Sequence, residues 1–155
     1  MKSAISPSVL SVVLCAGLSV GGTAMAQQSP SCPTLPPAAG LEWKQLAGAD
    51  YLSCKAIAAD GREVLGVMLT ARDPGLSLPR DRREEKGQLA EEDFYWYRPD
   101  LGGRELANRR VAVISLGKKR YAQVWIDASD TQELGTLQGL AQRLDLQPAS
   151  LALGR

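Results

Sequence analysis

The chain has 155 residues, with 18 basic and 17 acidic side chains and a formal net charge of +1. This balance gives no net field that favours nucleic acid or an anionic membrane surface. The sequence contains no histidine, which excludes Ser-His-Asp and Cys-His catalysis, histidine acid–base chemistry and the commonest zinc ligand.

The first 26 residues have the pattern of a secretory signal peptide. Lys2 gives the positive start, residues 9–20 give an apolar core, and Ala24 and Ala26 place small residues where signal peptidase cleaves. The apolar run of about 12 residues is too short for a bilayer, which needs about 20. The alternatives are an uncleaved anchor and a lipid on Cys15. Cleavage after residue 26 leaves 129 residues, in which 17 basic residues balance 17 acidic ones because only Lys2 is lost.

The cysteines of the mature chain predict a disulfide. Cys32 and Cys54 are the two that remain after cleavage, and an even number in an exported protein is typical of a bridge. The bond would close a loop of about 20 residues and contribute roughly 3 kcal/mol. The alternative is two free thiols. A bridged pair leaves no thiolate nucleophile, so we predict that the protein is not an enzyme. The alternative is an enzyme that uses carboxylates or a serine–lysine pair.

The N-terminal part of the mature chain predicts an arm followed by strands. Residues 27–40 contain four prolines and should form an extended arm, neither helix nor inner strand, fixed only by Cys32. Residues 41–47 alternate weakly and suit a short edge strand. Two apolar runs, 51–59 and 62–71, flank Asp60-Gly61 and predict a hairpin.

The second strand of that hairpin is apolar on both faces, which favours a central position in a sheet. Gly66 within it indicates a bulge or the close approach of another element.

Residues 72–92 predict a long exposed connection, because prolines and a glycine precede a dense charged run at 80–86. Loops of this length are usually functional or mobile. The run is nearly self-neutralised, which favours a solvated loop or a helical turn with internal ion pairs. The alternative is a docking site for a protein or a phosphate, with Arg80, Arg82 and Arg83 as anchors.

The C-terminal half predicts a strand, a hairpin and a helix. Residues 94–98 (FYWYR) form an aromatic strand, and residues 110–116 and 120–127 form a second hairpin. Residues 130–144 form an amphipathic helix, in which Asp130 and Glu133 have the capping-box spacing.

These elements predict one α+β domain over residues 41–148, followed by a tail at 149–155. Its mostly antiparallel sheet is built from the two hairpins and the aromatic strand, with the C-terminal helix packed on one face.

The aromatic strand supplies the candidate binding surface. Tyr95 and Tyr97 share one face of it, opposite Phe94 and Trp96. They could join two aromatic residues of a neighbouring strand, Tyr121 and Trp125, in a patch that suits a protein or a glycan ring. The alternative is that these residues are core and ordinary cross-strand pairs.

The remaining acidic groups do not predict chemistry. Glu91 and Asp93 lack an apolar pocket to separate their pKa values. The segment 127–133 lacks the glycine of a calcium loop. No phosphate-binding, dinucleotide or zinc motif occurs, so the sequence predicts neither a metal nor a cofactor.

We therefore predict an exported, non-enzymatic protein-binding module of the cell envelope, of inhibitor, immunity or accessory type. It would be periplasmic or secreted and would bind an envelope or secreted protein. It would not bind nucleic acid and would not insert stably in a membrane after signal cleavage. The alternative is a small-ligand or glycan-binding periplasmic domain. Its groove would lie between the sheet and either the helix or the 72–92 connection, lined by Trp96 or Trp125.

Overall fold

The structure is a computed structural model that describes residues 29–102 and 106–149. The predicted signal peptide and most of the predicted C-terminal tail lie outside the described residues. Ala149, the first residue of that tail, is 5% exposed and packs in the hydrophobic core. No helix within the described ranges is long and apolar enough to cross a membrane.

The domain is an α+β fold: seven antiparallel strands form one sheet, and one main helix packs on it. The elements are β1 (Leu41–Ala47), β2 (Tyr51–Ala58), β3 (Glu63–Thr70), β4 (Arg83–Leu89), β5 (Glu92–Tyr97), β6 (Arg109–Ser115), β7 (Tyr121–Asp127) and α1 (Thr131–Gln142). Across the sheet the order is β1-β2-β3-β7-β6-β5-β4. Both β3 and β7 therefore lie in the interior, with β1 and β4 at the edges.

The N-terminal arm runs along β1 and is held by more than its cysteine. The indole nitrogen of Trp43 donates to the carbonyl of Pro33 at 2.6 Å, and the amide of Gln45 bonds Pro30 and Cys32. The disulfide joins Cys32 to Cys54 on β2. The prediction that only Cys32 fixes the arm is therefore wrong. A short 3-10 turn, Pro37–Ala39, also interrupts the extended arm.

The charged segment is a strand, not the long connection that the sequence predicts. After a 3-10 turn (Arg80–Arg82), β4 pairs with β5 along one edge of the sheet. An edge strand needs partners on one side alone and tolerates charges, which protect it from pairing with other chains. Gly87 lets β4 pack closely, since a Cβ there would lie 2.6 Å from the Phe94 ring.

The turn between β4 and β5 explains why the sequence did not reveal this hairpin. Ala90 and Glu91 have φ values of 51° and 68°. Two-residue turns of this kind normally contain asparagine or glycine, which adopt positive φ at low cost. Without those residue types, the sequence carries no turn signal at this position.

The core lies between α1 and one face of the sheet. The helix buries Leu134, Leu137, Leu140 and Ala141. Its N-terminus is capped as the spacing predicts: the Glu133 amide donates to Asp130 Oδ1 at 2.8 Å. The Glu133 carboxylate accepts from the Ser129 amide at 2.6 Å.

Candidate functional site

The face of the sheet opposite α1, here called the open face, is the candidate site. Paired residues on adjacent strands share a face, so the register defines one row of side chains across six strands. From β2 to β4 the row contains Lys55, Gly66, Trp125, Val111, Tyr97 and Arg83. This row puts an indole near the middle of the sheet and a tyrosine–arginine pair at its edge.

Trp125 is held over the backbone of β3. A Cβ built on Gly66 would lie 1.9 Å from Cε2 and 2.0 Å from Cζ2 of the indole, so the ring occupies the space that any other side chain would need. The indole nitrogen donates to Glu63 Oε1 at 2.8 Å. The close approach predicted at Gly66 is therefore that of a side chain on the next strand.

Glu63 holds the indole through a hydrogen bond and is itself held by an ion pair. Its second carboxylate oxygen pairs with Lys55 Nζ at 2.9 Å. Partial burial disfavours the charged carboxylate, but the hydrogen bonds from Lys55 and Trp125 outweigh it and lower the pKa of Glu63 below its usual range. Glu63 is therefore an ionised acceptor at neutral pH.

A pocket of about 660 Å³ lies over this part of the open face. Its walls are two connecting segments, residues 76–78 after β3 and residues 98–101 after β5. Its apolar lining consists of Leu76, Leu78, Pro99, Leu101, Val111, Trp125 and Ile126. Gln123 and Asp127 flank Trp125 on β7 and also line the pocket.

Each charged residue that lines the pocket is paired with an opposite charge, and of these Arg110 has its side chain on the α1 side of the sheet. The pairs are Glu63–Lys55, Arg98–Glu84, Asp100–Arg82, Arg109–Asp127 and Arg110–Glu85. Arg109 Nε is buried and has no hydrogen-bond partner. The pocket therefore combines an apolar surface with charges that are already neutralised.

The residues that the sequence predicts as one binding patch lie in separate places on the open face. Arg83 lies with its guanidinium carbon 4.1 Å from the Tyr95 ring centroid and 5.8 Å from that of Tyr97. Tyr121 and Trp125 lie on the same open face, but β6 separates their strand from β5. Tyr121 and Trp125 are also four residues apart along β7, a distance of about 13 Å. The structure thus gives a tyrosine–arginine cluster at the edge and a separate tryptophan in the pocket.

Arg80 and Arg82 lie in the 3-10 turn before β4. The Arg82 guanidinium pairs with Asp100 at 3.1 Å and donates to the carbonyl of Pro99 at 3.4 Å. It therefore braces a wall of the pocket. The charged run makes ion pairs with distant residues, such as Glu84 with Arg98, and not the internal pairs predicted for it. Arg80 is exposed.

Trp96 does not line the pocket. It is 1% exposed and packs edge-on against Phe94 in the core. The sequence left open a groove beside the 72–92 connection, in which residues 76–78 lie, but it did not suggest the second wall at residues 98–101. The leucines of the segment PGLSLP (residues 74–79) are the local apolar signal for the first wall. The roles of Glu63, Arg109 and Asp127 depend on contacts between strands, and no local pattern encodes them.

Within the described ranges, no group of three or more histidine, cysteine, aspartate or glutamate residues is arranged to hold a metal ion. No protein-family model, curated protein or solved structure matches the chain.

Proposed function

We propose that the mature chain is an exported, non-enzymatic binding domain that holds a small ligand in the pocket over Trp125. The pocket itself carries this proposal: about 660 Å³ lined by an indole, leucines and a few fixed polar groups. Small-molecule sites typically have volumes of about 300–1,000 Å³ and this mixture of lining. The disulfide is consistent with an oxidising compartment, the periplasm or the exterior.

The exposed leucines support the same conclusion. Among the described residues, Leu46, Leu76 and Leu101 are the large apolar side chains with notable exposure, at 62%, 42% and 44%. Leu76 and Leu101 both line the pocket, one from each connecting segment. A bound ligand would remove this apolar surface from water, which is favourable in proportion to the area covered.

Tryptophan fluorescence tests the proposal. We expect at least one member of a panel of envelope lipids and peptidoglycan fragments to change the emission, because Trp125 borders the pocket. Leu76→Arg should weaken that binding about tenfold or more by placing a charge in the apolar wall. Leu46→Arg, on β1 away from the pocket, is the matched control and should bind as wild type. Unchanged emission across the whole panel would refute the proposal.

A second candidate function is a protein-binding module of the cell envelope, of inhibitor, immunity or accessory type. The cluster of Arg83, Tyr95 and Tyr97 favours it, because a guanidinium over half-buried tyrosines combines residue types enriched at protein-binding hot spots. Its place beside the sheet edge would let a partner reach it without entering the pocket.

Native mass spectrometry of the protein purified from its host envelope tests this second function. We expect a stoichiometric second polypeptide with wild type, and its loss with the double variant Arg83→Ala/Tyr97→Ala. Lys118→Ala, in the exposed turn before β7, is the control for loss of one positive charge. Equal recovery of the partner with the double variant would rule out this cluster as the binding surface.

A further inference from the structure

We infer that the ligand is an uncharged carbohydrate, with one sugar ring stacked on Trp125. This inference depends on the small-ligand pocket proposed above and specifies its chemistry. The position of the indole supports a stacked ring. One side of the ring system rests on Gly66 of β3, and Trp125 also borders the pocket.

The platform is fixed before any ligand arrives. Gly66 provides the space, Glu63 accepts from the indole nitrogen at 2.8 Å, and Lys55 holds Glu63 at 2.9 Å. A fixed aromatic surface binds with a low entropy cost, because it loses little freedom on contact. A flat, prearranged platform suits a planar or chair-shaped ring better than a flexible chain.

The paired charges argue against an ionic ligand. Each charged side chain of the lining already has a partner, as for Arg109 and Asp127 at 2.5 Å. A charged ligand would have to compete with such a pair for its counter-charge. Binding of the ligand should therefore depend little on salt.

The same groups argue against a purely apolar ligand. A hydrocarbon would cover Glu63, Asp127 and Arg109 without giving hydrogen bonds in return, and burying unpaired polar groups is costly. A paired carboxylate still has free lone pairs, and a guanidinium has five N–H groups. Hydroxyl groups can use both of these without disturbing the ion pairs.

A sugar ring satisfies both parts of the lining. Its C–H face is apolar and can stack on the indole, whereas its edge carries hydroxyl groups. Gln123 and Asp127 lie two residues on either side of Trp125 on the same face of β7, about 7 Å away. The Gln123 amide can donate and accept. These side chains lie around the platform, where the hydroxyl groups of a stacked ring would reach them.

NMR of the indole N–H groups in ¹⁵N-labelled protein tests the inference. The probes are chitotetraose and maltotetraose as uncharged sugars, and decanol as an uncharged, mainly apolar ligand. The Trp125 signal is identified by its absence in Trp125→Phe. We expect a sugar to shift that signal and to leave the Trp43 and Trp96 signals in place. Affinity should change less than about threefold between about 50 and about 500 mM NaCl.

Two variants and one control complete the experiment. Gly66→Ala displaces the indole, since its Cβ would overlap the ring, and should weaken sugar binding about tenfold or more. Gly135→Ala is the matched control, because a Cβ there has nothing within 4 Å. Should Gly66→Ala fail to fold, Trp125→Phe gives the same test by isothermal titration calorimetry: the smaller ring should weaken binding severalfold. Wild-type affinity for the sugar in these variants would overturn the inference that a sugar ring stacks on Trp125.

The two proposals fail in different ways. If decanol shifts the Trp125 signal and neither sugar does, the carbohydrate inference is wrong and the small-ligand pocket stands. If no probe shifts the Trp125 signal, both the carbohydrate inference and the pocket above Trp125 are overturned.

Discussion

Changing Cys32 and Cys54 together to alanine should lower the free energy of unfolding by about 3 kcal/mol. The bridge spans a sequence separation of 22 residues, and cross-linking a loop of that length restricts the unfolded chain by about this amount. Urea denaturation of the oxidised wild type and of the double variant measures the difference. Alanine is preferred to serine because Cys54 is fully buried, at 0% exposure, and a hydroxyl group there would add a separate cost.

The control for this experiment is the reducing agent itself. Reductant should destabilise the wild type by about the same 3 kcal/mol and leave the cysteine-free variant unchanged. The arm should remain on β1 in the variant, because its hydrogen bonds through Trp43 and Gln45 do not involve sulfur. A loss below about 1 kcal/mol would mean that these contacts, and not the covalent bond, order the arm.

The sequence predicts elements whose determinants are local. Asp130 and Glu133 mark the start of the helix because a capping box is a contact within one turn, and periodic leucines mark its buried face. The α+β class follows from the order of the elements. The cysteine pair and the compartment predict the disulfide without any knowledge of the sheet.

Features set by distant contacts are not predicted. The charged residues of β4 suggest a solvated loop until β5 is known to pair with them. The turn at Ala90 and Glu91 uses positive φ without the usual residue types, so it gives no local sign. The neighbours of β7 on the sheet, β3 and β6, decide which side chains share a row. The sequence alone therefore leaves open whether Trp96 or Trp125 borders a groove, and only the fold places Trp125 there with a second wall at residues 98–101.

The ion pair between Glu85 on β4 and Arg110 on β6 is a contact between distant parts of the sequence that should stabilise the fold. Arg110 is 7% exposed, between the sheet and α1. Its guanidinium donates to both carboxylate oxygens of Glu85, at 2.8 and 2.7 Å, and to the carbonyls of Ala107 and Arg109. Gln138 on α1 also donates to Glu85, at 3.0 Å. The pair therefore connects the edge strand, the interior of the sheet and the helix.

Glu85→Ala should destabilise the protein by about 2 to 3 kcal/mol, because it leaves a buried guanidinium without its counter-charge. Fully buried pairs lose about 3 to 5 kcal/mol when one partner is removed. The Glu85 side chain is 44% exposed, so water reduces the loss. Asp50→Asn is the control: it breaks the exposed pair with Arg72 and should change stability by less than about 0.5 kcal/mol. Urea denaturation at neutral pH measures both.

The pH dependence distinguishes lost charge from lost packing. Hydrogen bonds from Arg110, opposed by partial burial, lower the pKa of Glu85 to about 2. A folded-state pKa below the unfolded value, about 4.3 for glutamate, gives stability that is present above the unfolded value and is lost as pH falls through the folded one. Glu85→Gln should therefore cost about 1 to 2 kcal/mol at pH 7, after allowance for exposure.

That difference from wild type should shrink below about pH 4.5 and nearly vanish near pH 2. Glu133, whose pKa is also lowered to about 2 by hydrogen bonds from Arg62 and Ser129, titrates in the same window in both proteins and so cancels from the comparison. A difference that stays constant from neutral to acid pH would show that Glu85 acts through shape and not through charge. A difference that shrinks as expected would show that an acidic residue of the charged segment, which the sequence suggests is solvated, stabilises the fold from the edge of the sheet.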